Sequence, residues 1–229
     1  MIRCTFGRAP RTASDSWLLG LGKRGPLLAG SVLTLSPILG EARDVESEGG
    51  TMNDRSLRVM ASVGLAVGGA LGLAGTFASS ASLRGLAWGI DGIALVMACA
   101  LLMLRYFKLG QEMMAAGFLV FGIGESLLVS GAAMDLARST PSFGGGVGLW
   151  AAGLALISVP GVLPIVVRLL GFAAALLFAV TACCILAGAP ITPLSQPLPF
   201  FAYPVLVATF VGWIVQLLRD DSAAAQPPM

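Results

Sequence analysis

Histidine is absent from all 229 residues, and the chemistries that rest on imidazole go with it. Those are His-ligated haem, the His-Glu-x-x-His zinc site, and any serine nucleophile activated by histidine. The nearest approach to an intramembrane serine-protease motif is Leu128-Val129-Ser130-Gly131, which lacks the first glycine of Gly-x-Ser-Gly as well as the partner. Four cysteines occur without a Cys-x-x-Cys, so neither a zinc knuckle nor a dithiol redox pair is supported. Cys99, Cys183 and Cys184 read as small apolar packing residues instead. Charge is also scarce, at 11% of residues against about 25% for a soluble domain. Net charge is only +2 and no basic cluster exists, which excludes nucleic acid as a partner. No nucleophile, base and metal ligands occur together, so no catalytic residue, metal or cofactor is expected.

Hydrophobic residues, in contrast, make up 56% of the chain, with a mean hydropathy of +0.87. Not one charged side chain lies between Arg168 and Arg219. A membrane-spanning helix needs about 20 predominantly apolar residues. Six such segments read along the chain, at about 59–78, 86–104, 113–133, 147–159, 163–187 and 200–218. The expected fold class is all-α: a polytopic membrane protein with six transmembrane helices in an up-down bundle. Pro141 and Gly144-Gly145-Gly146 read as a loop before the fourth span. The proline-rich stretch 190–199 excludes a regular helix and suits polyproline II, and Pro204 suggests a kink in the last span.

Residues 1–51 differ from the rest, with an Arg-rich start, a short apolar run broken by Pro37, and an acidic stretch from Glu41 to Glu48. They read as a poorly structured extension, with Met52 as an alternative start. Residues 52–222 form the membrane domain, and 223–229 a disordered tail. Counted from Met52, Arg55, Arg58, Arg105, Lys108, Arg168 and Arg219 fall on one side, and Arg84 and Arg138 on the other. The positive-inside rule then puts both termini in the cytoplasm. Trp88, Trp150 and Tyr203 read as interfacial aromatics at outer span ends, and Asp135 pairs with Arg138 in a surface link. Arg outnumbers Lys 12 to 2, a coding habit that points to a bacterial inner membrane.

Small residues recur every four positions at Gly64, Gly68 and Gly72, and again at Gly122, Ser126 and Ser130. Each set lines one helix face and permits close helix approach, within the chain or against a second copy or membrane partner. Two carboxylates lie inside apolar spans, Asp91 and Glu125. An acid there costs at least ~2.5 kcal/mol on insertion scales, so it is buried in the bundle or paired. The hairpin link centred on residue 108 places 91 level with 125, and helix rotation decides whether they face one another. If they face, the pair titrates as a unit and suits a proton or cation relay. Otherwise Asp91 pairs with Arg84 or Arg138, and Glu125 is hydrogen-bonded to a neighbouring helix.

Two function classes follow. One is a non-catalytic structural or accessory membrane protein packed through its glycine faces. The other is a small proton- or cation-coupled transporter or channel using Asp91 and Glu125. The lack of an inverted repeat between residues 52–138 and 139–229 favours the first.

Overall fold

The computed structural model describes residues 53–132 and 136–224. Expectations for residues 1–51, for Met52 as a start, for Asp135 and for the tail 225–229 lie outside the described residues. Six helices account for nearly all the rest: α1 (Asp54–Phe77), α2 (Ala81–Lys108), α3 (Glu112–Ala132), α4 (Thr140–Ser158), α5 (Ile165–Leu186) and α6 (Ala202–Ala224). All six are long and apolar enough to cross a membrane, over 18 to 28 residues each. No strand occurs among the described residues.

Local sequence sets the helix ends. Asn53 caps α1 by accepting from the Arg55 N–H at 3.2 Å, and Ser80 caps α2 by accepting from the Leu83 N–H at 3.1 Å. These side chains satisfy donors that the first turn leaves open. Arg105 and Lys108 occupy the last turn of α2, where cations suit the helix dipole. Gly110 then reverses the chain at φ +70°, a conformation that glycine adopts without strain.

The fourth helix begins at Thr140, not at 147, and it takes in Gly144, Gly145 and Gly146. The expected loop is therefore helix. Pro141 sits in the first turn, where a missing N–H costs nothing. The glycines are there for contact: a Cβ on Gly146 would stand 2.6 Å from Leu128 Cγ, and one on Gly144 would stand 2.6 Å from Ile185 Cγ2. Pro204 likewise falls in the first turn of α6, so it supplies no mid-span kink. Helix α6 also runs on to Ala224, past the expected end of the last span, through alanines that favour helix. The segment 187–201 is a series of turns instead of polyproline II. Ser195 organises it, accepting from the Thr192 N–H at 2.9 Å while its own N–H donates to Thr192 O at 3.0 Å.

Each helix packs on the next in sequence, and α6 returns to α1; no other pair among the described residues comes into backbone proximity. The six therefore close a ring. Neighbours run antiparallel at their contacts: Gly64 meets Ala98 while Gly75 meets Trp88, and Gly69 meets Phe210 while Phe77 meets Phe200. Gly64 and Gly68 are consumed by this packing, since a Cβ at Gly64 would stand 2.8 Å from the Ala94 carbonyl oxygen and one at Gly68 2.5 Å from Leu95. The glycine face of α1 is thus packed by α2 of the same chain. Ser126 and Ser130 remain exposed on α3, their hydroxyls donating to Gly122 O and Leu127 O of their own helix.

Aromatic rings fill the ring's interior toward the end that holds residue 53 and the α2–α3 turn. Tyr106 stacks on Phe118 at 5.5 Å, and Trp213 meets Phe118 edge-on at 5.0 Å. Phe121 and Phe210 continue the cluster at 5.9 Å. At the same end Asp54 pairs with Arg58 of its own helix (3.2 Å) and with Arg105 of α2 (3.5 Å), and the second pair ties α1 to α2. Arg168 donates to Ser158 O at 2.8 Å and Val159 O at 2.9 Å, closing carbonyls that the end of α4 leaves open.

The close approach of α1 to α2 gives a paired prediction. Gly64→Ala must push against a backbone oxygen and is expected to cost about 1–3 kcal/mol. Gly85→Ala, with nothing within 4 Å, is expected to be neutral or slightly stabilising. Thermal unfolding of the two variants in detergent checks this, and equal midpoints would contradict the packing.

Candidate functional site

The other half of the ring is not filled. A cavity of about 90 Å³ lies there, lined from α1, α2, α3, α4 and α6, and by Pro193 of the 187–201 segment. Asp91 and Glu125 both line it. Water needs roughly 10–15 Å³ of such space, so the cavity has room for several waters or one small ligand. Its wall runs from half-buried Trp88, Leu136 and Pro193 inward to buried Asp91, Glu125 and Trp150.

Glycine makes room for the acids. A Cβ at Gly72 would stand 2.7 Å from Asp91 Oδ2, and one at Gly68 would stand 3.2 Å from Asp91 Oδ1. Gly92, the next residue on α2, plays the same part toward α3: a Cβ there would stand 3.1 Å from Glu125 Oε1. The two carboxylates thus sit on adjoining parts of one wall. The expected level register is shifted by somewhat more than one helical turn. Gly92 meets Val129 as well as Glu125, and Gly122 meets Cys99, because the reversal is centred nearer Gly110 than 108.

Neither acid forms an ion pair among the described residues, and each keeps an open oxygen. Asp91 is 9% exposed and Glu125 3%, and Asp91 Oδ1 and Glu125 Oε2 accept no hydrogen bond among the described residues. The expected arginine pairing does not form. The Arg84 guanidinium donates to Ala78 O at 3.0 Å and lies over the Trp88 ring at 5.9 Å, and Arg138 is exposed in the α3–α4 link. Glu125 also lacks the expected hydrogen bond across to a neighbouring helix. The Trp150 indole nitrogen stands beside it but falls short of hydrogen-bond geometry, and Trp150 Nε1 is itself without an acceptor.

The remaining wall is aromatic and aliphatic, with a few neutral polar groups. Trp88 is fixed by an indole N–H bond to Gly72 O at 3.2 Å. Trp150 is clamped, stacked on Phe121 at 5.3 Å with Phe178 edge-on at 5.2 Å. Tyr203 rests on Phe178 at 5.9 Å. Ser139 and Ser142 donate to Leu136 O and Ser139 O, which leaves their oxygens able to accept. No group of three or more His, Cys, Asp or Glu side chains gathers among the described residues.

Trp150 therefore does not sit at a span end, whereas Tyr203 does, half-buried in the first turn of α6. Trp150 is 6% exposed, mid-helix on α4. The misplacement follows from the late start assigned to the fourth span. Ser139-Thr140-Pro141 carries the usual signal of a helix N-terminus, a hydroxyl residue followed by proline at the first helical positions. Reading it so would have put Trp150 inside the bundle. Ser142 carries no sequence signal of its own, and that of Ser139 is for a helix start and not for a cavity.

The fold and this cavity together place the chain among polytopic helical proteins with six apolar helices and an acid-lined interior. No known family pattern, no curated protein and no solved structure matches it.

Unpartnered acids make a stability prediction. Replacing an ion-paired carboxylate by its amide destabilises, whereas replacing an unsatisfied one relieves a desolvation cost of about 1–3 kcal/mol. Asp91→Asn and Glu125→Gln are expected to unfold at the same temperature as the wild type or higher. A clear fall in either midpoint would mean that the carboxylate has a partner.

Proposed function

We propose that this chain is a small proton- or cation-coupled carrier of a bacterial inner membrane, with Asp91 and Glu125 as the groups that take up the ion. The observation that carries this reading is the pair of buried, unpartnered carboxylates on one cavity. Ionisable side chains inside a membrane are costly, and those kept there without an ion pair mark ion and proton pathways. Two like charges at such a site do not coexist readily, so uptake of a proton or cation relieves their repulsion.

A carrier fits better than a channel. Beyond the cavity the interior is occupied by Phe118, Phe121, Phe210 and Trp213, so passage requires rearrangement of the ring. The structural or accessory reading draws less support, because the glycine face offered for a partner is taken up by α2 and frames Asp91.

The proposed setting is an up-down bundle with both termini in the cytoplasm. It rests on the six basic residues at the end of the ring that holds Asn53 against Arg84 and Arg138 at the other. The cavity then opens toward the outer face. A reporter fused after Arg219 is expected to be active only in the cytoplasm; activity outside would reverse the orientation.

Reconstituted into liposomes, the wild-type chain is expected to carry protons or a monovalent cation down an imposed gradient, read with an internal pH dye and a potential-sensitive dye. The double variant Asp91→Asn, Glu125→Gln is expected to fold and to carry none. Equal flux through both proteins, or none through the wild type under either gradient, would overturn the carrier.

A further inference from the structure

We propose that the ion received by this cavity is an organic ammonium ion, a small alkylated amine, and not a metal cation. This deepens the reading of Asp91 and Glu125 as cation-binding groups and rests on it. The wall divides into two chemistries that match the two parts of such an ion. Asp91 Oδ1 and Glu125 Oε2, both more than nine-tenths buried, are acceptors without donors. Around them stand the rings of Trp88, Trp150 and Tyr203 and the aliphatic side chains of Leu95 and Val129.

A metal ion would be poorly served here. Magnesium and calcium require six or more oxygen ligands, and no third acidic, histidine or cysteine ligand joins the two carboxylates among the described residues. Sodium or potassium entering without its water would meet mostly carbon. An alkylammonium ion spreads its charge over its methyl or methylene groups. It can turn those groups to aromatic faces, an attraction of ~2 kcal/mol or more when desolvated, while the carboxylates neutralise it. Rigid rings favour this, since little order must be gained on binding. Trp150 is held by Phe121 and Phe178, and Trp88 by Gly72 O. The half-buried wall of Trp88, Leu136 and Pro193 leaves a way in from the helix ends.

Intrinsic fluorescence tests the inference, because Trp88 and Trp150 are two of the four tryptophans. The full chain in detergent is titrated with tetramethylammonium, potassium, magnesium and the neutral isostere neopentane-type alcohol, 2,2-dimethylpropanol. Tetramethylammonium is expected to saturate the signal at least about tenfold below potassium or magnesium, and below the alcohol by a similar factor. The response should disappear in Asp91→Asn, Glu125→Gln. Tyr203→Leu, with an unchanged unfolding temperature, should weaken it about tenfold. Binding of the alcohol or of either metal ion as tight as tetramethylammonium, or persistence in the double variant, would overturn the inference. Proton or potassium flux that is lost in the double variant, in a protein that tetramethylammonium neither binds nor inhibits, would sink the ammonium assignment and leave the carrier standing. Acid-dependent tetramethylammonium binding without any flux would do the reverse.

Discussion

The interior depends on how closely α1 approaches α2. Gly64 sets the contact on backbone and on Ala98, Gly68 receives Leu95, and Gly72 receives the Asp91 carboxylate. These three glycines lie on one face, one helical turn apart. The first two make ordinary membrane-helix packing, in which small residues let backbones come together. The third uses the same clearance for an acid. A side chain at Gly72 would therefore act on the site directly, while one at Gly64 would act through the spacing of the helices.

Closure of the ring explains why the two ends of the interior differ. With only sequential neighbours and the α1–α6 contact, the centre must be filled by side chains reaching inward. At one end that is done by Tyr106, Phe118, Phe121, Phe210 and Trp213, all nearly inaccessible. At the other, α1 and α3 line the space with Gly68, Gly69, Gly72 and Gly131, and glycine brings no volume. The cavity follows from that asymmetry. Helix α5 contributes none of its wall, yet Phe178 stands behind both Trp150 and Tyr203 and holds those rings in place.

Much of this architecture was legible in the sequence, for a physical reason. In a bilayer every backbone polar group must be satisfied within the chain, so a long uncharged segment has one outcome, a helix. Five of the six helices begin and end within six residues of the apolar segments in the sequence, and the two acids stand out because charge there is rare. The fourth helix was cut short because glycine and proline break helices in water. In an apolar environment with partners such as Ile185 and Gly124, Gly144 and Gly146 become contact surface instead. That single difference moved Trp150 from a helix end to the middle. Whether Asp91 met Arg84 or Glu125 turned on helix rotation, which hydropathy does not encode. Rotation is fixed by contacts such as Trp88 on Gly72 O, between residues sixteen apart in sequence.

Packing alone would not have left the acids where they are. Leu95 lies one turn along α2 from Asp91, on the same face of the helix, and fills its place against Gly68 with carbon. A leucine at 91 would continue that face and remove a buried charge, and an apolar replacement of a buried ionic group is often neutral or stabilising. The chain instead keeps two carboxylates with open oxygens, and keeps Trp150 Nε1 open beside one of them. Local rules broken together, at one place, in an otherwise consistent fold are expected at functional or strained sites. In the proposed carrier, the cost of burying those groups is offset when an ion enters the cavity to meet them.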